Sequence, residues 1–318
     1  MRTILSSCVF ALLTASLVLA GPAQGKAPGK SDPDKLATKV GKAVSGRDWA
    51  AIPDLCGQGL EMTQRGSEWD QRWGEELGVD KRLMWEQTLR ETTETTWEYG
   101  DRKRDREVQL VSLELAEMYL ERWPEHTNSY EMVFRKAQIA WTVREYRVSA
   151  EAYEQLYKLN PRTGRRRLEA AAGWVGALWI DAADDWEFFD GQAQQARVER
   201  KDHTDMIARH QPIDFEDSES ELIEAMDAFV SAAPEHDKAD DVLYRTAHMH
   251  YTRYQSKDGV PRCIAFLQGF PDDSRAPSVA RMLLDLALWS ERATESRLRA
   301  EAMGLRWEEI EELADGAS

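Results

Sequence analysis

The sequence predicts an all-α protein built from antiparallel helix pairs stacked about an irregular central insert. Three observations predict it. Alternating Val/Ile/Thr runs, the mark of strands, are absent. Apolar residues recur instead at spacings of three and four, which places them on one stripe of a helix. The chain also echoes itself at an offset of 110 residues: Pro124-Glu125-His126 returns as Pro234-Glu235-His236, and Ala177-Leu178-Trp179 as Ala287-Leu288-Trp289. Residues 124–179 and 234–289 share 12 identities over 56 positions without a gap. That is roughly three times chance for ordinary composition, so the echo counts as a duplicated unit.

Taken in order, Met1-Arg2 is followed by an apolar run from Ile4 to Ala20 and by the small residues Gly21, Ala23 and Gly25. A basic start, an apolar core and a small-residue exit predict a secretory signal peptide over 1–25. The strongly apolar part, Val9 to Ala20, falls short of the ~20 residues that span a bilayer. No stable membrane insertion is therefore expected after cleavage. Residues 26–33, rich in Lys, Pro and Gly, predict a disordered lead-in. The N-terminal helical region, 34–109, is expected to hold a helix pair at 35–45 and 49–56 and a helix at 82–97, the next starting near 104.

The first repeat unit is expected over 110–183. Leu113, Ala116, Leu120 and Trp123 form one apolar stripe, and Pro124 stops that helix because it lacks an N–H and clashes with the preceding turn. Tyr130, Phe134, Ala137 and Trp141 stripe the next helix, 127–142. Tyr146, Ser149, Tyr153 and Leu156 stripe a third, which ends before Pro161, and a fourth follows over 168–183. An irregular insert is expected over 184–221, holding Trp186, Phe188, Phe189, Phe215 and the acidic run 216–221. Its aromatics either fold back onto the helices or form a partner patch. The second repeat unit, 222–292, repeats the first, and a Glu/Arg-rich capping helix with a tail closes the chain over 293–318.

Ala137, Tyr146, Ser149, Tyr153, Leu156 and Pro161 resemble the tetratricopeptide repeat. The resemblance implies a right-handed solenoid with small residues where paired helices cross, here Ala137 and Ser149 in the first unit and Ala247 and Gly259 in the second, and close packing at a crossing gives that match a physical reason. The endings Trp123-Pro124 and Phe270-Pro271 are similar to exported bacterial repeat proteins of the outer-membrane-assembly and cell-division-coordinator type. In the second unit Cys263 stands for Tyr153 and Ser256 for Tyr146, so that copy is degenerate.

Composition bounds the function. The formal charge is −16, and −17 once Arg2 leaves with the signal. An acidic surface argues against nucleic acid and anionic membrane, and for a partner of basic character. After cleavage the cysteines are Cys56 and Cys263; two so far apart make no disulfide framework, although export permits a bridge. Cys263 falls at an apolar helix position, where a buried free thiol is ordinary.

No catalytic constellation stands out, and no cofactor or metal is expected. His248 and His250 lie about 200° apart around a helix and cannot hold one metal from the same face. His126 and His236 recur just after helix-ending prolines, a place for turn or cap chemistry. Asp240-Asp241 and Asp272-Asp273 fit helix starts, where acids favour the macrodipole. The expected protein is not an enzyme but a scaffold that binds a protein or peptide in the cell envelope. The resemblance places its groove on the first helix of each pair. The matching positions are Phe134, Gln138, Trp141 and Thr142, then Tyr244, His248, Tyr251 and Thr252. Phe134 and Tyr244 read equally as core between repeats. Two other classes stay open: an all-α carbohydrate-active or sugar-binding protein using the twelve tryptophans, and a self-associating architectural solenoid.

Overall fold

The computed structural model describes residues 32–159, 166–182, 209–290 and 293–315. The signal peptide, most of the lead-in, Pro161, Trp186, Phe188, Phe189 and the tail lie outside them. The described residues are all-helical. In chain order the helices are α1 (Pro33–Gly46), α2 (Ile52–Thr63), α3 (Glu68–Lys103), α4 (Arg106–Arg122), α5 (Ser129–Val143), α6 (Tyr146–Leu159) and α7 (Arg167–Asp181). After the insert come α8 (Asp217–Ala232), α9 (Ala239–Thr252), α10 (Ser256–Gly269), α11 (Ala276–Trp289), α12 (Ala293–Ala302) and α13 (Trp307–Asp315). None of them is long and apolar enough to cross a membrane.

Shifted by 110, the bounds of α4 to α7 fall within two residues of those of α8 to α11. The duplicated unit is thus four helices, beginning at Arg106 and at Asp217, earlier than the expected 110 and 222. The last residues of the expected irregular insert are helical because the acidic run suits a helix start. Glu219 accepts from the Glu216 backbone while the Glu216 side chain accepts in return, a capping box at the positive end of the helix dipole.

Two turn types alternate. Pair-closing turns at Arg104, Arg144 and Tyr254 hold a left-handed residue, with φ of 55°, 67° and 57°. In each, the N–H groups of that residue and of the next bond back in the Schellman pattern, as in Arg144 N to Trp141 O and Glu145 N to Ala140 O. The other type follows proline. From Trp123, Ala233 and Phe270 the same three backbone bonds repeat, Trp123 N to Tyr119 O, His126 N to Trp123 O and Ser129 N to His126 O in the first. His126 Nδ1, His236 Nδ1 and Asp273 Oδ1 each accept from the N–H two residues on, at 3.3, 3.2 and 2.7 Å. The recurring histidines are therefore turn caps, and aspartate serves equally.

Each helix packs on its sequence neighbours, and α7 packs directly on α8 across the insert. Contacts also link helices two apart within the odd and the even series. Arg135 of α5 reaches Glu94 of α3, and Arg275, which caps the start of α11, reaches Asp240 of α9. Arg147 of α6 reaches Glu221 of α8, and Arg262 of α10 reaches Asp227 of α8. The small residues sit at the crossings: the Ser149 hydroxyl donates to the Ala137 carbonyl at 2.9 Å. Gly259 faces His250 so closely that a side chain there would come 3.0 Å from its Cβ. At Gly59 an added Cβ would lie 2.0 Å from the fully buried Trp85 ring, so that α2–α3 crossing requires glycine.

Two helices differ from expectation. The helix expected at 82–97 runs for 36 residues from Glu68, capped by Ser67. Its first half carries Gly74 and Gly78 among charged residues, and good helix formers such as Glu, Arg, Gln and Leu carry it through. The single capping helix is broken into α12 and α13 by Gly304, whose φ of 84° suits only glycine well. Cys56 and Cys263 are free thiols buried in separate clusters, each pushed up to about 12 by burial.

Candidate functional site

The odd-numbered helices α3, α5, α7, α9 and α11 form one layer, and its exposed side carries most of the expected groove residues. Trp141, at the C-terminal end of α5, is 37% exposed. It meets Tyr146 edge-on at 5.7 Å and lies across α7 at Gly176, where a Cβ would come 3.1 Å from its ring. Gln138 is half-buried and accepts from Arg135 at 3.0 Å; Thr142 is exposed and bonds back to the Gln138 carbonyl. Phe134 is buried instead, edge-on to Tyr153 and under the Arg166 guanidinium at 3.9 Å. It belongs to the core because its side of α5 faces α6 and α7.

On α9, Tyr244 is half-buried, stacked on His248 and edge-on to Phe266 of α10. His248 is exposed while His250 is buried, so the two histidines point to different sides. Tyr251 donates to Asp285 at 3.0 Å and stacks on Trp289 at 5.2 Å. Thr252 is half-buried and bonds to the Met249 carbonyl. The expected residues thus form two groups, one in each unit, and Phe134 drops out.

Residues outside that set join them. The Arg135 guanidinium lies 3.7 Å over the Trp97 ring of α3, and Arg245 lies 4.4 Å over the Trp179 ring of α7. Each arginine thus stacks on a tryptophan of the preceding odd helix, and a planar guanidinium suits that contact better than lysine. Arg135 and Arg245 are one of the identities of the echo, which was the available signal. The insert's end also reaches this side. His210 stacks flat on Trp289 at 4.3 Å, and Ile213 N donates to the Arg253 carbonyl at 2.8 Å. Phe215 meets the buried His250 edge-on at 5.0 Å, so of the insert's aromatics this one folds back onto the helices.

The shifted titratable groups serve the scaffold. Hydrogen bonds from Arg275, first its side chain and then its backbone, hold the Asp273 carboxyl down at about 2. Arg275 also binds Asp240 and Asp241, so these paired acids clamp α9 to α11. Burial pushes the Glu86 carboxyl up, but bonds from the Tyr119 hydroxyl (2.6 Å), Asn128 (3.0 Å) and Arg90 outweigh it and leave it below its usual range. Burial and then the bond to Glu86 raise the Tyr119 phenol. This cluster ties α3 to the proline turn after α4.

No protein-family model matches the chain, and no curated protein matches it.

Proposed function

We propose that the protein is an exported, non-catalytic scaffold of the tetratricopeptide type, a right-handed solenoid whose odd-helix face holds a protein or peptide partner in the cell envelope. The observation that carries this reading is Trp141, a large aromatic 37% exposed on that face. Guanidinium–tryptophan stacks lie on the same layer, between α3 and α5 and between α7 and α9. Half-buried aromatics flanked by amide, hydroxyl and guanidinium groups offer apolar area together with polar anchors, as peptide-binding faces do. The layered packing with small residues at both crossings supports the solenoid, and the leader-like start supports export. The net charge of −16 would speed encounter with a partner of basic character. It disfavours nucleic acid and anionic membrane.

Affinity capture from envelope extract tests the reading, comparing wild type with the Trp141→Ala/Tyr251→Ala variant. Specific partners are expected to drop at least tenfold in the variant while its helicity is retained. An identical recovered set would remove the odd-helix face as the docking surface.

A further inference from the structure

The two units differ at one place in a way that exposes a polar notch in the first. At the C-terminal end of α9, Arg253 is 2% exposed and donates to both carboxylate oxygens of Glu219 of α8 at 2.8 Å. The positions 110 residues earlier are Val143 and Gln109. Valine carries no such charge and is fully buried among Leu113, Ile139 and Ala140. A cavity of about 360 Å³ is open there, lined by Asp101, Arg104, Arg106, Gln109, Thr142, Val143 and Arg144.

Gln109 borders the notch, and its side-chain amide bonds to no other described residue. Arg104 and Arg144 sit on left-handed turn residues and pair with no acid among the described residues. Arg106 spends two of its nitrogens on the Val143 carbonyl and on Glu145, both at 3.3 Å. The lining thus carries three guanidinium groups against one carboxylate, Asp101, in a chain whose net charge is −16.

We propose that this notch binds a carboxylate group. The ligand takes hydrogen bonds from the rim arginines and from the Gln109 amide N–H, Gln109 being the residue that stands where the second unit has Glu219. Charge-assisted, forked contacts from arginine suit a carboxylate, and the cavity has room for an acidic side chain with its neighbouring backbone or for a small free dicarboxylate. The site lies at the α3–α4 and α5–α6 turns and shares only Thr142 with the groove residues, so its carboxylate binding is tested separately from the proposed function.

Isothermal titration of the full chain at low ionic strength tests it. The probes are succinate, a blocked peptide acetyl-Gly-Glu-Glu-Gly-amide, its Gln-Gln counterpart and inorganic phosphate. Saturable one-to-one binding of a carboxylate probe is expected, with no binding of the Gln-Gln peptide and weaker binding of phosphate. Preference for the peptide over succinate identifies an acidic protein segment as the source; the reverse identifies a free acid. Arg104→Asn/Arg144→Asn replaces exposed residues with one that tolerates the left-handed backbone. It is expected to weaken binding at least tenfold with unchanged circular dichroism. Val143→Arg/Gln109→Glu rebuilds the second unit's internal pair and is expected to abolish binding. Absence of saturable carboxylate binding overturns the proposal, as does unchanged affinity in the Arg104→Asn/Arg144→Asn variant, which decides even where the rebuilt pair fails to fold.

Discussion

His250 shows what one buried residue does to the whole chain. It is 5% exposed, neither ring nitrogen is hydrogen bonded, and it is packed against Phe215 and Gly259. Burial first, and then the nearby Arg262 charge, lowers its pKa from 6.5 to about 3. The folded state therefore holds this imidazole neutral at pH values where the unfolded chain protonates it. Stability is fully present above 6.5 and is lost as pH falls toward 3. Between pH 7 and pH 5 this one group should cost about 2 kcal/mol. Urea unfolding at the two pH values checks it: His250→Leu should remove that part of the slope, and an unchanged slope would assign it elsewhere. The sequence located His250 on a helix and showed that it could not share a metal with His248. It could not show the burial, because that depends on Phe215 returning from the insert.

At the scale of the element, the proline turn is the repeated part. Three copies share their backbone bonds and differ in the capping side chain, His126, His236 or Asp273. Each cap satisfies an N–H that a helix start leaves open. His236→Ala should cost about 1 kcal/mol, the usual worth of such a cap. His236→Asn keeps an acceptor at that place and should cost less. Thermal unfolding followed by circular dichroism compares them, and equal losses would show that ring packing on Phe229 matters instead. Helix existence was legible wherever an apolar stripe met a proline. The long start of α3 was not, because its stripe is thin and its glycines read as breaks. Nor was the split at Gly304, because a Glu/Arg-rich helix shows almost no period.

Among the described residues the buried side chains form a string of local cores: one around α1 to α5, a small one around α3 to α6, one around α5 to α9 and one around α9 to α13. In such an array each part answers mainly to its neighbours, so damage at one end stays near that end. Trp307 of α13 is 8% exposed and packed in the last core. Trp307→Ala should cost that core about 3–5 kcal/mol. Amide exchange should then rise across α9 to α13 and stay unchanged across α1 to α4. A uniform rise would show instead that the chain unfolds as one unit.

The sequence by itself determined the helical class, the 110-residue duplication, the stops at proline and the small residues at the crossings. Each of these is a local matter of spacing, backbone restriction or side-chain size. It also placed Trp141 and Tyr251 among the groove candidates. Only the tertiary structure decided that Phe134 is core, that Arg135 and Arg245 lie on tryptophans of the preceding odd helix, and that a notch borders Val143 and Gln109 while their counterparts Arg253 and Glu219 form a buried ion pair. Those outcomes depend on which helix lies across the gap and on how far its side chains reach, and the spacing of residues along one helix carries neither.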